Sequence, residues 1–359
     1  MADPNRILTL TQPRKLVFGP GCATDVVDDV LSHGRQRVLV VTSKPTRSHC
    51  EPVLTALAAK GVTASLYDDV PPEPSVADFR STLSAARDMR ADAVLGLGGG
   101  SAMDVAKLVA ALVDSDQDVR DSFGIGKLAR PRKAYLACLP TTAGTGSEVS
   151  PNAILLDEAE SLKKGVISPH LMSDAALVDP LLTLTVPAPV TGATGIDALT
   201  HCIEAYANKL AHPLIDTFAI EGIRLINGSL TTAYDDGSNV AARSAMVRGS
   251  LYGGICLGPV NTGAIHALSY PLGSEFHVPH GVANAMLMTA VLAFNLPAAP
   301  DRYADIAVAL GVTRTSDDLA TAKLGLDRLK QLAAHCGIPT SLRSVGVTDA
   351  DIERLARAR

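Results

Sequence analysis

Residues 93–107, AVLGLGGGSAMDVAK, carry the reading that decides the fold. Ala93–Leu97 is a short apolar run of the strand type, and a helix opens directly behind it. Between the two stand Gly98, Gly99 and Gly100, followed by Ser101. Without Cβ atoms the glycines let backbone N–H groups approach a pyrophosphate, and the helix N-terminus adds partial positive charge. An ordinary strand-to-helix turn would use Ser101 as N-cap, with Asp104 in the first turn. Three consecutive glycines exceed what that turn needs, which favours phosphate binding. The G-x-G-x-x-G fingerprint is absent, because the first strand exits through Thr42-Ser43-Lys44-Pro45. Gly124-Ile125-Gly126-Lys127 is expected in a loop with no strand before it, and it receives no phosphate role.

Outward from this stretch the same alternation continues. Strands are expected at Arg37–Thr42, Val62–Tyr67, Ala134–Leu139, Ala153–Leu156 and Ala175–Val178, and helices at Cys50–Lys60 and Val76–Met89. The charged segment Asp157–Lys164 reads as a hairpin connection. This pattern predicts a parallel sheet with helices on both faces. After Asp179 the strand-like runs stop, and 195–359 reads as successive amphipathic helices broken by Gly and Pro. LLTLTVPAPVTG (181–192) marks the boundary. The expected architecture is an α/β dinucleotide-binding domain with a parallel sheet at 1–184, then an all-α metal-binding domain at 185–359. A cleft between them is the expected meeting place of cofactor and metal.

The helical half holds two segments with metal-ligand chemistry. GIDALTHCIEAY (195–206) places Asp197 and His201 four residues apart, so a carboxylate and an imidazole share one helix face. In NTGAIHALSYPLGSEFHVPHGVAN (261–284), His266 lies in an apolar helical segment expected to break at Pro271 and Gly273. His280 follows between Pro279 and Gly281, where a new helix should begin. An Asp-x-x-x-His pair is as often a surface ion pair, and a buried His is more often a satisfied core residue. Three imidazoles and a carboxylate with apolar flanks shift the balance, since burial without compensating bonds is costly. The donors suit zinc or ferrous iron, and the lack of thiolate argues against a soft metal or a cluster.

Bulk properties narrow the classes. The 359 residues are 47% hydrophobic and 19% charged, which describes a globular chain long enough for two domains. A net charge of −5 without a Lys or Arg run makes nucleic acid and anionic membrane unsuitable partners. Met1–Asn5 lacks the pattern of a secretory signal, and no apolar run is read as a membrane span. Six scattered cysteines without C-x-x-C pairing fit reduced core thiols and predict a cytoplasmic protein. There is no internal repeat.

Taken together, these segments resemble the iron-containing alcohol dehydrogenases. The resemblance rests on FGPG (18–21), GGGSAMDVAK (98–107), PTTAGTGSEVS (140–150), GIDALTHCIEAY and HALSYPLGSEFHVPHGVANAM, collinear over nearly the whole chain. It implies metal binding by Asp197, His201, His266 and His280. It also implies cofactor contacts from Thr141, Thr142 and Thr145, and from Lys163, which alone would pass for a surface charge. The threonine hydroxyls, with amides freed by Gly144 and Gly146, suit phosphate, ribose or the nicotinamide amide. A homo-oligomer, a dimer or larger, is implied as well. Members of the family usually continue beyond the position of Arg359, and the final helix, with Thr348 as N-cap, is expected to run to Arg359.

Departures from the family pattern set the finer expectations. NAD-selective members resemble Thr-Asp at Thr42-Ser43, where the carboxylate binds ribose hydroxyls and repels a 2′-phosphate. Ser43 followed by Lys44 removes that repulsion and brings a cation close, so NADP is expected to be accepted beside NAD. Several members carry a second His at the position of Tyr270, near the substrate. A phenol titrates far above neutrality, so His277 is the alternative proton relay, against a solvent-facing loop His. Tyr270 and His277 are the catalytic candidates. The expected reaction is metal-assisted hydride transfer between NAD(P)H and a small aldehyde or ketone, with Fe2+, or Zn2+, as Lewis acid. Maleylacetate reductase is a rival whose members often lack the metal set. A dehydroquinate-synthase-like lyase is another, but neither 195–206 nor 261–284 contains the Lys or Arg an anionic substrate needs. A non-catalytic binding protein is the third alternative.

Overall fold

The computed structural model describes residues 5–357. Its strands are β1 (Lys15–Phe18), β2 (Arg37–Val41), β3 (Thr63–Tyr67), β4 (Ala93–Gly98), β5 (Gly124–Ile125), β6 (Tyr135–Pro140), β7 (Asn152–Asp157), β8 (Leu162–Ile167) and β9 (Ala175–Val178). Helices α1 (Val26–Ser32), α2 (Arg47–Ala59), α3 (Val76–Asp88) and α4 (Gly100–Leu112) alternate with the early strands. From Leu184 onward the described elements are helical: α5 (Ala188–Tyr206), α6 (Pro213–Asp235), α7 (Val240–Leu257), α8 (Ala264–Phe276), α9 (His280–Asn295), α10 (Pro300–Ala309), α11 (Asp318–His335) and α12 (Asp349–Arg357), with short 3-10 turns.

The chain forms two compact units. One holds Thr11–Thr142 and Ser147–Thr183; the other holds the segment ending at Leu10, Ala143–Gly146 and the chain from Leu184 onward. In the first, a six-stranded parallel sheet runs β1-β9-β6-β4-β2-β3. Its central strands are buried on both faces, which is why they read as continuous apolar runs. Alternate residues serve opposite faces. Val38 and Val40 join Val30, Val53 and Leu57 under α1 and α2, while Leu39 and Val41 join Phe79, Val105 and Val109 under α3 and α4. The edge strand β1, only four residues with alternating exposure, carries too little pattern to be seen in the sequence.

Asp157–Lys164 joins β7 to β8 as an antiparallel hairpin, and both strands belong to a second sheet ordered β5-β8-β7. Gly124–Ile125 is therefore not loop: it is β5, a two-residue strand beside β8.

In the helical unit α5 is buried on all sides, packed against α6, α7 and α9 in one continuous core. Glycines allow the close approach. A Cβ at Gly222 would lie 2.5 Å from Cys202 Sγ, and one at Gly249 would lie 2.5 Å from Ile226 Cγ1. Ala143–Gly146 packs with these helices because Gly146, at φ +59°, would otherwise push a Cβ to 2.3 Å from Gly254 Cα. Leu8 and Leu10 pack on the same core.

Two expectations change here. Helix α8 runs unbroken through Pro271 and Gly273, both buried, and stops only at His277, which caps it at φ 54°. Burial of the apolar face of α8 outweighs the one backbone bond a proline cannot donate. The stretch His280–Ala298 is long and apolar enough, by length and composition alone, to cross a membrane. The sequence reading saw no run approaching a span; the polar contacts of His280 and Asn284 within this helix, described below, suit a protein interior better than lipid. At the expected start of α12, Thr348 donates to the Asp351 carboxylate from its N–H at 2.9 Å and its hydroxyl at 2.6 Å, and residues 358–359 lie outside the described residues.

Candidate metal centre and dinucleotide site

Helical spacing sets the metal centre. On α5, Asp197 and His201 face the same side one turn apart, and both are buried. Gly253 of α7 makes room, since a Cβ there would sit 3.2 Å from His201 Cβ. Helix α8 brings His266 in, stacked on His201 with ring centroids 4.5 Å apart. Ligand atoms of Asp197, His201 and His266 lie within 4.8 Å of one another. His280, the first residue of α9, stands outside that set, with Nε2 3.7 Å from Asp197 Oδ1 and a side chain 30% exposed. It lies on the open side of the cluster.

Two residues that the sequence reading passed over complete the arrangement. Glu204 accepts from His266 Nδ1 at 2.6 Å and from the backbone N–H groups of Ile265 at 2.6 Å and Gly263 at 2.9 Å. One buried carboxylate thus caps α8 and fixes the His266 ring. Asn284, one turn after His280, donates to Asp197 Oδ1 at 2.7 Å. Both sit at helical spacings from ligand candidates, Glu204 three residues past His201 and Asn284 four past His280, and that spacing was the available signal.

Burial disfavours charge on Asp197, yet the facing imidazoles of His201, His280 and His266 hold its carboxyl far below the usual range. Burial depresses the His201 imidazole, keeping it neutral and able to donate a lone pair. His266 goes the other way: burial alone would lower it, but Asp197 and Glu204 raise it. His201 Nδ1 and His266 Nε2 are buried and have no hydrogen-bond partner. Deep inside a helical unit that is the signature of a missing electrophile, and a divalent cation bound by nitrogen and oxygen fits it.

Tyr270 stacks on His280 with centroids 6.0 Å apart and an interplanar angle of 16°. His277 is exposed at the C-cap of α8 and is not among the ring contacts that link the other three histidines and Tyr270.

Ser43, Gly98–Ser101, Thr141 and Thr142 lie at or just after the carboxyl ends of β2, β4 and β6 in the α/β unit, where open α/β sheets bind ligands. Gly98 ends β4, and a Cβ on it would strike Ala102 Cβ at 2.8 Å, so glycine lets α4 start close against the sheet. Thr141 N donates to Gly98 O at 2.9 Å, Thr141 Oγ1 is buried without a partner, and Thr142 faces the empty side of Gly99. Gly100 and Ser101 open α4. Thr145 belongs to the Ala143–Gly146 segment of the helical unit. Ser43 follows β2 and is tied to Thr46 Oγ1 at 2.9 Å. The cation beside it is already matched: Lys44 Nζ is 2.8 Å from Asp69. Lys163 is no surface charge; its side chain is 7% exposed and pairs with Glu73 at 2.6 Å.

The first assembly is a candidate divalent-metal centre, and the second is a candidate dinucleotide site. Residues 13–180 match the family model for iron-containing alcohol dehydrogenase, and residues 191–358 match that for the C-terminal part of the Fe-containing alcohol dehydrogenase family. The 1,3-propanediol dehydrogenase of Citrobacter freundii is 36% identical, over 98% of this chain and 92% of its own. Long-chain-alcohol dehydrogenase 1 of Geobacillus thermodenitrificans is also 36% identical, over 96% of this chain and 89% of its own. A crystal structure of 1,3-propanediol oxidoreductase superposes with a TM-score of 0.95 at 34% identity, covering 98% of this chain and 93% of that one. The chain belongs to the iron-containing alcohol dehydrogenase family, whose members pair a nicotinamide dinucleotide with a metal.

Proposed function

We propose that the enzyme interconverts a small aldehyde or ketone and its alcohol, using NAD(H) or NADP(H) and a divalent metal held by Asp197, His201, His266 and His280. The observation that carries this reading is the pair of buried imidazole nitrogens, His201 Nδ1 and His266 Nε2, that have no hydrogen-bond partner. When bound, the cation supplies Lewis acidity toward the substrate oxygen, and the nicotinamide supplies the hydride. The chain's own residues do the rest. Glu204 orients His266, Asn284 orients Asp197, and Tyr270 lies along the exposed edge of the cluster at His280. His277 is kept as the proposed proton relay, although its exposure at the end of α8 matches the solvent-facing alternative. An unchanged pH–rate profile in His277→Ala removes it from that role.

Ferrous iron and zinc both suit the donor set. Gly98–Ser101, Thr141, Thr142, Thr145 and Lys163 are proposed as the dinucleotide contacts, with Ser43 at the adenine ribose. Ser43 offers no repelling carboxylate, and Lys44 must leave Asp69 to meet a 2′-phosphate, so neither nucleotide is strongly preferred. NADH and NADPH affinities are expected within about tenfold, roughly 1.4 kcal/mol. Six buried free cysteines support a reducing, cytoplasmic setting. A dimer or larger homo-oligomer is proposed from the family. The intact carboxylate and imidazole set, and relatives named for alcohol oxidation, weigh against maleylacetate reductase.

The test is NAD(P)H oxidation against a panel of short aldehydes and ketones, before and after chelation. Turnover lost on chelation and regained with ferrous iron or zinc is expected. Undiminished turnover by metal-free protein would contradict the reading.

A further inference from the structure

Glu73 stands in the segment Val70-Pro71-Pro72-Glu73-Pro74-Ser75, which links β3 to α3, and one residue joins two of the proposed cofactor contacts. Its backbone N–H donates to Ser101 Oγ at 3.3 Å, and its carboxylate holds Lys163 Nζ at 2.6 Å. Lys163 is almost fully buried by this arrangement, while the Glu73 side chain remains 31% exposed. A carboxylate therefore sits close to the opening of α4, on the ammonium proposed as a dinucleotide contact.

The backbone at this point is under strain. Glu73 has φ +54°, a left-handed conformation unusual for a residue with a Cβ, and it precedes a proline, which restricts it further toward extended geometry. The strain is held from both sides. Pro74 O accepts from Leu156 N at 2.9 Å, and Ser75 forms the N-terminal capping box of α3 with Asp78. Surroundings that over-determine a strained residue mark places where the strain has a use.

We propose that Glu73 is an internal counter-anion that competes with the dinucleotide for Lys163, weakening cofactor binding and speeding its release. This rests on the proposed dinucleotide site. A carboxylate close to a pyrophosphate is repelled, and the pair Lys163–Glu73 must open for the ammonium to change partners. Neutral glutamine keeps the size and the hydrogen bond to Lys163 but removes the repulsion.

The experiment compares NADH binding by wild type, Glu73→Gln and Lys163→Met, using fluorescence titration for affinity and stopped-flow displacement for the off-rate. Glu73→Gln is expected to bind NADH at least about tenfold more tightly, mostly through a slower off-rate. Lys163→Met is expected to weaken binding in either background. Equal or weaker binding by Glu73→Gln, with a wild-type-like melting curve, overturns the proposal and leaves the pair a structural tie. If wild type binds neither NADH nor NADPH, the dinucleotide reading itself fails, and the two failures are thereby told apart.

Discussion

Glu204 shows how a single buried side chain links local structure to chemistry. Its two oxygens accept from the first backbone donors of α8, which have no partner within the helix, and from the ring nitrogen of His266. Held that way, His266 turns Nε2 toward Asp197, 3.5 Å away, a distance suited to a shared cation better than to a direct hydrogen bond. Partners of this kind orient metal ligands and raise their basicity. Glu204→Gln is expected to weaken zinc or cobalt binding by about 10- to 100-fold in equilibrium titration. Unchanged affinity would make Glu204 a helix cap and nothing more. Glu148, buried in the α/β unit, reports differently. Burial raises its carboxyl from 4.5 to about 7, with its own backbone and Lys107 opposing. Between those values the unfolded chain has released a proton that the folded chain keeps, so stability falls as pH rises through the window and levels off above it. Glu148→Gln removes the titration. Its stability relative to wild type should improve from about pH 5 to pH 8 in denaturant unfolding, and a pH-independent difference would refute the assignment.

At the scale of elements, the close seating of helices places the site. Gly281 follows His280 at the start of α9, and a Cβ on it would lie 2.4 Å from the Ala193 carbonyl oxygen on α5. Backbone cannot yield there as a flexible side chain can. Gly281→Ala should therefore force α9 away from α5, costing roughly 1–3 kcal/mol and moving His280 and Asn284 off Asp197. Calorimetry and metal titration should register the change together; a variant with normal melting and normal metal affinity would show that this contact does not set the site. The same scale explains what could be read from the chain. The strands β2, β4, β6 and β9 were legible because burial on both faces leaves apolar runs. The helices were legible because Gly and Pro punctuate amphipathic stretches. Pro271 misled because tertiary packing of α8 overrides a local breaker; β5 escaped because it has two residues, and β1 because, unlike the fully buried β9, its exposure alternates and leaves no apolar run.

Over the whole molecule, the ligand candidates were visible in two segments some sixty residues apart because their chemistry and spacing are unusual for an apolar interior. The polar partners Glu204 and Asn284 were not, since an acidic or amide residue on a helix reads as solvent-facing until the fold buries it. Charge placement was the least legible feature. Lys44 and Lys163 look like free cations in sequence, and only the fold supplies Asp69 and Glu73 as their partners. These pairings move the account of cofactor binding from simple attraction to exchange of partners.

Elemental analysis of purified protein, wild type beside His266→Ala and Asp197→Ala, tests the central claim most directly. The expected result is about one ferrous or zinc ion per wild-type chain and almost none in either variant, with circular dichroism showing both still folded. Variants that retain the full complement of metal would mean that the cation, and with it the carbonyl chemistry, is located somewhere else in the molecule.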